Sequence, residues 1–266
     1  MKKILAIMLA LTFVLTLCAC GEIKGSDKEY IEEKGELVVG ITYFAPMNYF
    51  DDDNKLTGFE TEFAEAVCEE LGLKVNFQEI SWDAKETELN SKNIDCIWNG
   101  MTITPERQEN MSISKPYMQN KQVLVMTKEA AAKFKSSADL AGMTLVAEKE
   151  SAGENVINND GYFTDAGVTY VAVDTQAKAL TEVKSGTADA AVVDFVASIG
   201  MIGEGTDYED LVVVGGASFS PEEYGIAFRK GSDMTDAVNE AINKLIANGK
   251  LEKIAAKYKL DGQIIK

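Results

Sequence analysis

Asn99-Gly100-Met101-Thr102-Ile103-Thr104-Pro105-Glu106-Arg107, followed shortly by Ser114-Lys115-Pro116-Tyr117, is the stretch on which the fold turns. The apolar run before it, Ile94-Asp95-Cys96-Ile97-Trp98, predicts a buried strand, and Asn99-Gly100 breaks that run where the backbone must turn. A helix should then begin, with Thr104 as N-cap and Pro105 at the first helical position. Arg107 falls in the first turn, beside amides that have no intrahelical partner. Those N–H groups, the positive end of the helix dipole and a forked guanidinium all favour an anion at the mouth of the loop, and a carboxylate suits them well.

Outward from this stretch, composition narrows the classes. The chain has 266 residues, enough for one large or two modest domains with real cores. It carries 26 basic against 43 acidic residues, a net charge of −17, and no histidine. A nucleic-acid partner is excluded on charge, since phosphate neutralisation needs a surplus of Lys and Arg. Without histidine or clustered cysteines the usual ligands of zinc and haem are lacking, so neither a metal nor any other cofactor is expected. Cys68, on an expected helix, and Cys96, in an expected buried strand, are within reach of a disulfide only if their sulfurs meet; buried free thiols are the expectation.

The N-terminus reads as an export signal. Lys2-Lys3 precede an apolar run from Ile4 to Leu17, too short for a comfortable membrane span. Leu17-Cys18-Ala19-Cys20-Gly21 then resembles a bacterial lipobox, with lipidation assigned to Cys20; Cys18 is the poorer candidate because bulky Leu17 would precede the cleavage. Two acyl chains on that cysteine supply stable anchoring. The expected organisation is a signal peptide at 1–19 and a polar, lipid-anchored flexible tether at 20–35, with the fold starting near Glu36.

Strand-like runs are expected at 37–41, 73–80, 94–98, 122–126, 144–147, 168–173, 188–193, 211–214 and 224–228. Between them, Phe59, Phe63, Val67 and Leu71 recur every four residues, and Met234, Ala237, Val238, Ala241, Ile242 and Leu245 trace a helix face. Alternating strands and helices argue for α/β layers with mostly parallel sheets.

Leu37, Pro46, Gly58-Phe59-Glu60, Trp82, Asp95, the 99–117 stretch, Gly186 with Asp189 and Asp194, the run Tyr224-Gly225-Ile226-Ala227-Phe228-Arg229 and finally Asn248-Gly249-Lys250 form an ordered set. In order and spacing, from Leu37 to about Leu260, the set resembles the polar amino-acid family of solute-binding proteins, the external receptors of ABC importers. The resemblance implies a two-lobed periplasmic-binding-protein-like fold of type II, with a ligand cleft between lobes joined by two crossing strands. Lobe 1 would take 36–121 and 222–266, lobe 2 would take 122–221, and 120–122 with 220–223 would form the hinge.

For the site, an α-amino acid needs partners for a carboxylate, an ammonium and a side chain. Arg107, assisted by the amide and hydroxyl of Thr102 in the Gly100 loop, should take the carboxylate. The resemblance adds Ser151 and Ala152, whose backbone amides at a helix start would serve the same carboxylate. Asp194 ends a near-continuous apolar strand and faces the cleft in the family pattern, where it would accept from the ammonium; a helix N-cap is its alternative role. Asp189 is assigned a turn. Phe44 matches the ring that stacks on the ligand side chain, with Tyr43, Tyr49 and Phe50 as neighbouring alternatives, and Trp82 matches a second wall. Trp98 ends a buried strand and reaches either cleft or core. Relatives that prefer basic or amide side chains commonly carry an acid three positions before the stacking ring; Ile41 stands there, and Asn99 adds a polar amide near the ligand, so side-chain specificity stays open.

The implied function is the extracytoplasmic substrate-binding component of an amino-acid importer, a lipid-anchored monomer on the outer face of the cell membrane. It would capture a free polar amino acid, hand it to permease subunits, and have no enzymatic activity. The alternatives are a dehydratase acting on an amino-acid-like substrate and a ligand sensor for a membrane signalling partner. No histidine base is present, and the sequence singles out no second cleft carboxylate for proton transfer, with Glu148, Glu150 and Glu154 as the residues that would change that view.

Overall fold

The computed structural model describes residues 25–266; the expected signal peptide, Cys20 and the tether up to residue 24 lie outside the described residues. The first element is a helix, where a tether was expected. α1 (Asp27–Lys34) opens on a capping box between Ser26 and Glu29. It docks because Ile31 is fully buried and its ends are ion-paired: Asp27 accepts from Arg229 Nε at 2.7 Å, and Lys34 pairs with Asp95. Asp95 is itself fully buried and also takes the Val38 N–H at 2.8 Å and Arg229 at 3.2 Å. Among the described residues the docked structure therefore already includes α1, ahead of the start expected near Glu36.

The chain continues through β1 (Glu36–Ile41), β2 (Tyr49–Phe50), β3 (Leu56–Thr57), α2 (Phe59–Leu71), β4 (Lys74–Glu79), a 3-10 turn at Trp82–Ala84, α3 (Lys85–Asn90), β5 (Cys96–Ile97), α4 (Pro105–Asn110) and β6 (Met111–Ile113). β7 (Met118–Thr127) then crosses into a second unit of α5 (Lys128–Lys133), β8 (Thr144–Glu148), α6 (Ala152–Asn159), α7 (Gly161–Thr164), β9 (Thr169–Val173), α8 (Gln176–Ser185), β10 (Ala190–Asp194) and α9 (Phe195–Met201). The long β11 (Leu211–Tyr224) returns, and β12 (Ala227–Arg229), α10 (Met234–Ala247) and α11 (Lys250–Lys257) complete the first unit.

Each unit is built on a five-stranded sheet, ordered β4-β1-β5-β12-β6 in the first and β11-β7-β10-β8-β9 in the second. The sheets are mixed and not mostly parallel. β1 runs parallel to β4 and β5, and β8 parallel to β9 and β10, as right-handed strand–helix–strand units require. The antiparallel members, β12 and β6 in one sheet and β7 and β11 in the other, are the strands by which the chain leaves one lobe and returns to it. α2 and α10 cover the first sheet with the faces their periodicity announced: Phe59, Phe63 and Val67 from one, Val238, Ile242 and Leu245 from the other, all fully buried. Each side chain of that size contributes about 1.5–3 kcal/mol on burial. Leu124, Met126, Leu145, Phe163 and Val192 form a separate core in the second lobe. Trp98 belongs to the first core, edge-on to Phe63 at 5.0 Å, which resolves its two alternatives in favour of packing. Cys68 and Cys96 are both buried and free.

Candidate functional site

The lobe 1 wall forms where β5 ends. Gly100 adopts φ +58°, and its N–H donates to Glu60 Oε1 at 2.8 Å. A side chain there would start 3.2 Å from the Phe44 ring and 3.3 Å from Tyr224, so glycine is required by both backbone and space. Thr104 caps α4, its hydroxyl accepting the Arg107 N–H at 3.2 Å, and Pro105 occupies the first turn. The guanidinium folds back so that one Nη donates to the Thr102 carbonyl at 2.8 Å while the group lies 5.8 Å from the centre of the Trp82 ring. Locally, the 99–107 stretch folds as its residue types demand.

Asn99 and Phe44 are engaged within lobe 1. Asn99 lines the inner cavity, but its amide is bonded within lobe 1: Oδ1 accepts from the Thr42 N–H at 2.9 Å and Asn48 at 3.1 Å, and Nδ2 donates to the Thr42 hydroxyl at 2.6 Å. Phe44 packs behind the Gly100 turn, 5 % exposed, while Tyr43 and Phe50 meet with tilted rings, 5.0 Å between centres. Ile41 is fully buried in the sheet. Trp82 is a wall shared by both lobes: its indole N–H donates to the Glu150 carbonyl at 3.2 Å, and Lys85 Nζ lies 4.8 Å over its ring.

Lobe 2 supplies the facing wall from the carboxyl ends of its strands. After β8, Glu150 takes φ +59°, which aims its carbonyl at lobe 1, where the second Nη of Arg107 also donates to it at 3.3 Å. Ser151 caps α6 by accepting the Glu154 N–H at 3.2 Å, and Ser151 and Ala152 border both the inner cavity and the outer mouth beside Arg107. Asp194 ends β10 but its side chain does not cap α9. Its carboxylate instead accepts from Asn120 at 2.7 Å, Gln122 at 2.5 Å and Gln176, while Asn120 Oδ1 takes the Val196 N–H at 3.1 Å in the capping role. Asp189 accepts the Thr144 N–H at 2.8 Å, in keeping with a turn role.

The lobes touch across the cleft. Besides the Glu150 carbonyl contacts, Lys149 pairs with Asp83 at 2.9 Å, and Gly200 of α9 packs on the Ala45-Pro46 backbone. An outer mouth of ≈ 500 Å³ runs past Thr102, Arg107 and Ser151 to Glu222. The inner cavity, between Trp82 and Gly100 on one side and Glu148, Gln176 and Asp194 on the other, measures ≈ 10 Å³. That is room for about one water, so an amino acid enters only if the lobes part.

Sequence reasoning did not single out the cluster of buried acids here. Glu148 and Glu222 are both pushed up to about 8, chiefly by burial and then by the charge of Asp194. Asp194 is also raised by burial, with the amides of Gln122, Gln176 and Asn120 opposing the shift. Glu60, beneath the Gly100 turn, is raised to about 7 by burial although Tyr117, Gly100 and Asn48 all donate to it. On the cationic side, Lys85 is pushed down to about 8 by burial and by Arg107. A signal for Glu148 existed: like Asp194, it is the carboxylate that ends an apolar strand. Among the described residues no group of His, Cys, Asp and Glu is arranged to hold a metal, and no helix is long and apolar enough to cross a membrane.

Residues 37–261 match the family described as bacterial extracellular solute-binding proteins, family 3. The chain is 29 % identical over 265 residues to the arginine-binding extracellular protein ArtP of Bacillus subtilis, covering 97 % of this chain and 98 % of that protein. It is 32 % identical over 273 residues to the L-cystine-binding protein TcyA of the same organism, covering 97 % of each. Among solved structures it resembles the ancestral amino acid-binding protein AncCDT-1, a precursor of cyclohexadienyl dehydratase, at 30 % identity and a TM-score of 0.76 over 88 % of this chain and 99 % of that one. The chain belongs to family 3 of the bacterial extracellular solute-binding proteins.

Proposed function

We propose that this family member is the substrate-binding component of an ABC importer, capturing a polar amino acid between two closing lobes and delivering it to a membrane permease. The observation that carries the reading is the placing of opposite charges from opposite lobes on one cleft: Arg107 from α4 at the outer mouth and Asp194 from the end of β10 at the inner cavity, with Ser151 and Ala152 bordering both. A zwitterion bridges them. Its carboxylate takes Arg107, displacing the Glu150 carbonyl, together with amides at the start of α6 near Ser151 and Ala152. Its ammonium takes Asp194. Only the closed state makes both contacts, so ligand shifts the equilibrium toward closure.

In this reading Thr102 and Gly100 shape the carboxylate loop, Trp82 walls the side chain, and Phe44 and Asn99 support the loop from behind. Lobe 1 comprises 26–121 and 222–266, and lobe 2 comprises 122–221. Cys20 carries the lipid, and the monomer is held on the extracytoplasmic face of the membrane. Thermal-shift measurement of the soluble chain against the amino acids tests the proposal, because a ligand that binds only the native state raises its melting temperature. No amino acid shifting it would reject the function.

A second reading, a dehydratase, is favoured by one observation: Glu148, raised to about 8, is a carboxyl in the cavity that is protonated at neutral pH and so able to donate. Our reading expects a bound amino acid to be recovered unchanged; NMR detection of turnover would replace it.

A further inference from the structure

Glu60, Asp194, Glu222 and Glu148 have carboxyl groups at or beneath the cleft, and the first three accept hydrogen bonds from the protein. Glu60 is held by Gly100, Asn48 and Tyr117; Asp194 by Asn120, Gln122 and Gln176; Glu222 by Gln122 at 2.6 Å and by Asn120. Glu148 is the exception. The residue is 5 % exposed, it borders the inner cavity, and its Oε1 is buried with no hydrogen-bond partner. An unpartnered carboxylate in such a place costs free energy unless something on the cavity side satisfies it.

We propose that Glu148 binds a cationic group at the far end of the ligand's side chain, so that the cleft selects basic amino acids. The inference rests on the amino-acid-binding reading above and goes one step further. Once Arg107 holds the ligand carboxylate and Asp194 its ammonium, Glu148 is the cavity carboxyl group left without a partner. The charged groups that face it are Asp194 from β10, which repels it, and Lys85 from α3. Lys85 does not neutralise it: its Nζ donates to the Trp82 carbonyl at 3.1 Å and no ion pair joins the two. The opposite wall is the Trp82 ring, which has Lys85 and Arg107 at cation–π distance.

A cation at Glu148 also favours its ionised form, so binding should expel a proton that the raised acid holds in the free protein. The test is calorimetry on the soluble chain at pH 7 with L-arginine, L-lysine and L-citrulline, the last being a neutral near-isostere of arginine. Arginine or lysine should bind on the order of 10–100-fold tighter than citrulline, the range of a hydrogen bond to a charged group. Glu148→Gln should erase that preference. Repeating the cation titration in buffers of different ionisation enthalpy should show more proton release in the wild type than in the variant, a difference that a merely structural role would not produce. If the wild type binds citrulline as tightly as arginine and lysine, or if Glu148→Gln keeps the preference, the proposal is wrong although amino-acid capture stands. If none of the amino acids of the thermal-shift screen binds, capture itself fails and takes this inference with it.

Discussion

At the scale of single residues, the site divides by how locally each side chain is positioned. Arg107, Ser151 and Asp194 were legible because a strand end, a helix cap or a first turn places them. Glu222, Gln122 and Gln176 were not, because their environment arises only when two lobes and two crossing strands meet, and Glu148 was legible only as a carboxylate ending an apolar strand. Arg107→Ala should abolish amino-acid binding in a folded protein, at a cost of about 2–5 kcal/mol for removing one partner of a buried charge pair. Near-normal affinity by calorimetry would sink the assignment. The buried acids also set a pH dependence whose sign is unusual. Glu60 at about 7 and Glu148 and Glu222 at about 8 are all above the ordinary glutamate value of about 4.3. The native state therefore binds more protons than the unfolded one, and the stability they contribute is complete below the unfolded value and is lost as pH rises through 7 to 8. Lys85, lowered to about 8, acts above that window and not within it. The ligand-free protein should melt at a lower temperature at pH 8 than at pH 5.5; a melting temperature that climbs over that interval would contradict the assignment of raised acids.

At the scale of elements, long amphipathic segments were readable and short or docked ones were not. α2 and α10 follow their apolar spacing, whereas β2, β3 and β6, at two or three residues, are too short to show a period. β11 was expected to end at residue 214, yet it continues to Tyr224 because pairing with β7 carries it across the lobes despite the polar residues of its second half. α1 is the instructive failure. Its composition, DKEYIEEK, has low hydrophobicity and reads as a tether, but Ile31 is buried and two charges, Asp27 and Lys34, pair with the buried Arg229 and Asp95, while Asp233 accepts the Lys28 N–H. Such long-range complementarity has no local signature. Ile31→Ala should cost about 2–5 kcal/mol, the range for a large-to-small change in a closed site, whereas in a mobile tether it would cost nothing. Urea unfolding of the variant decides between the two; an unchanged midpoint would return this segment to the linker.

At the scale of the molecule, function depends on two bodies and the hinge between them. The crossing strands β7 and β11 lose register between Val213 and Ser218 and again between Phe219 and Glu222, and Ser220 has φ +44°, so backbone rotation is concentrated where the chain already departs from regular pairing. Closure then brings α9 of lobe 2 against the Ala45-Pro46 segment of lobe 1. Gly200 is the contact point: a β-carbon there would fall 2.5 Å from the Pro46 nitrogen and 2.6 Å from its Cδ, distances at which one lobe must retreat. Within its own lobe nothing closer opposes that carbon, and alanine is favoured over glycine inside a helix by roughly 0.5–1 kcal/mol. Gly200→Ala should therefore leave the ligand-free protein as stable as the wild type or slightly more so, while weakening ligand affinity by obstructing the closed state alone. Combined calorimetry and small-angle scattering reads both consequences: lower affinity, and a radius of gyration that contracts less at saturating ligand. A variant that binds and contracts like the wild type would mean that capture does not require the interlobe approach seen at Pro46, and the closing mechanism would have to be placed elsewhere.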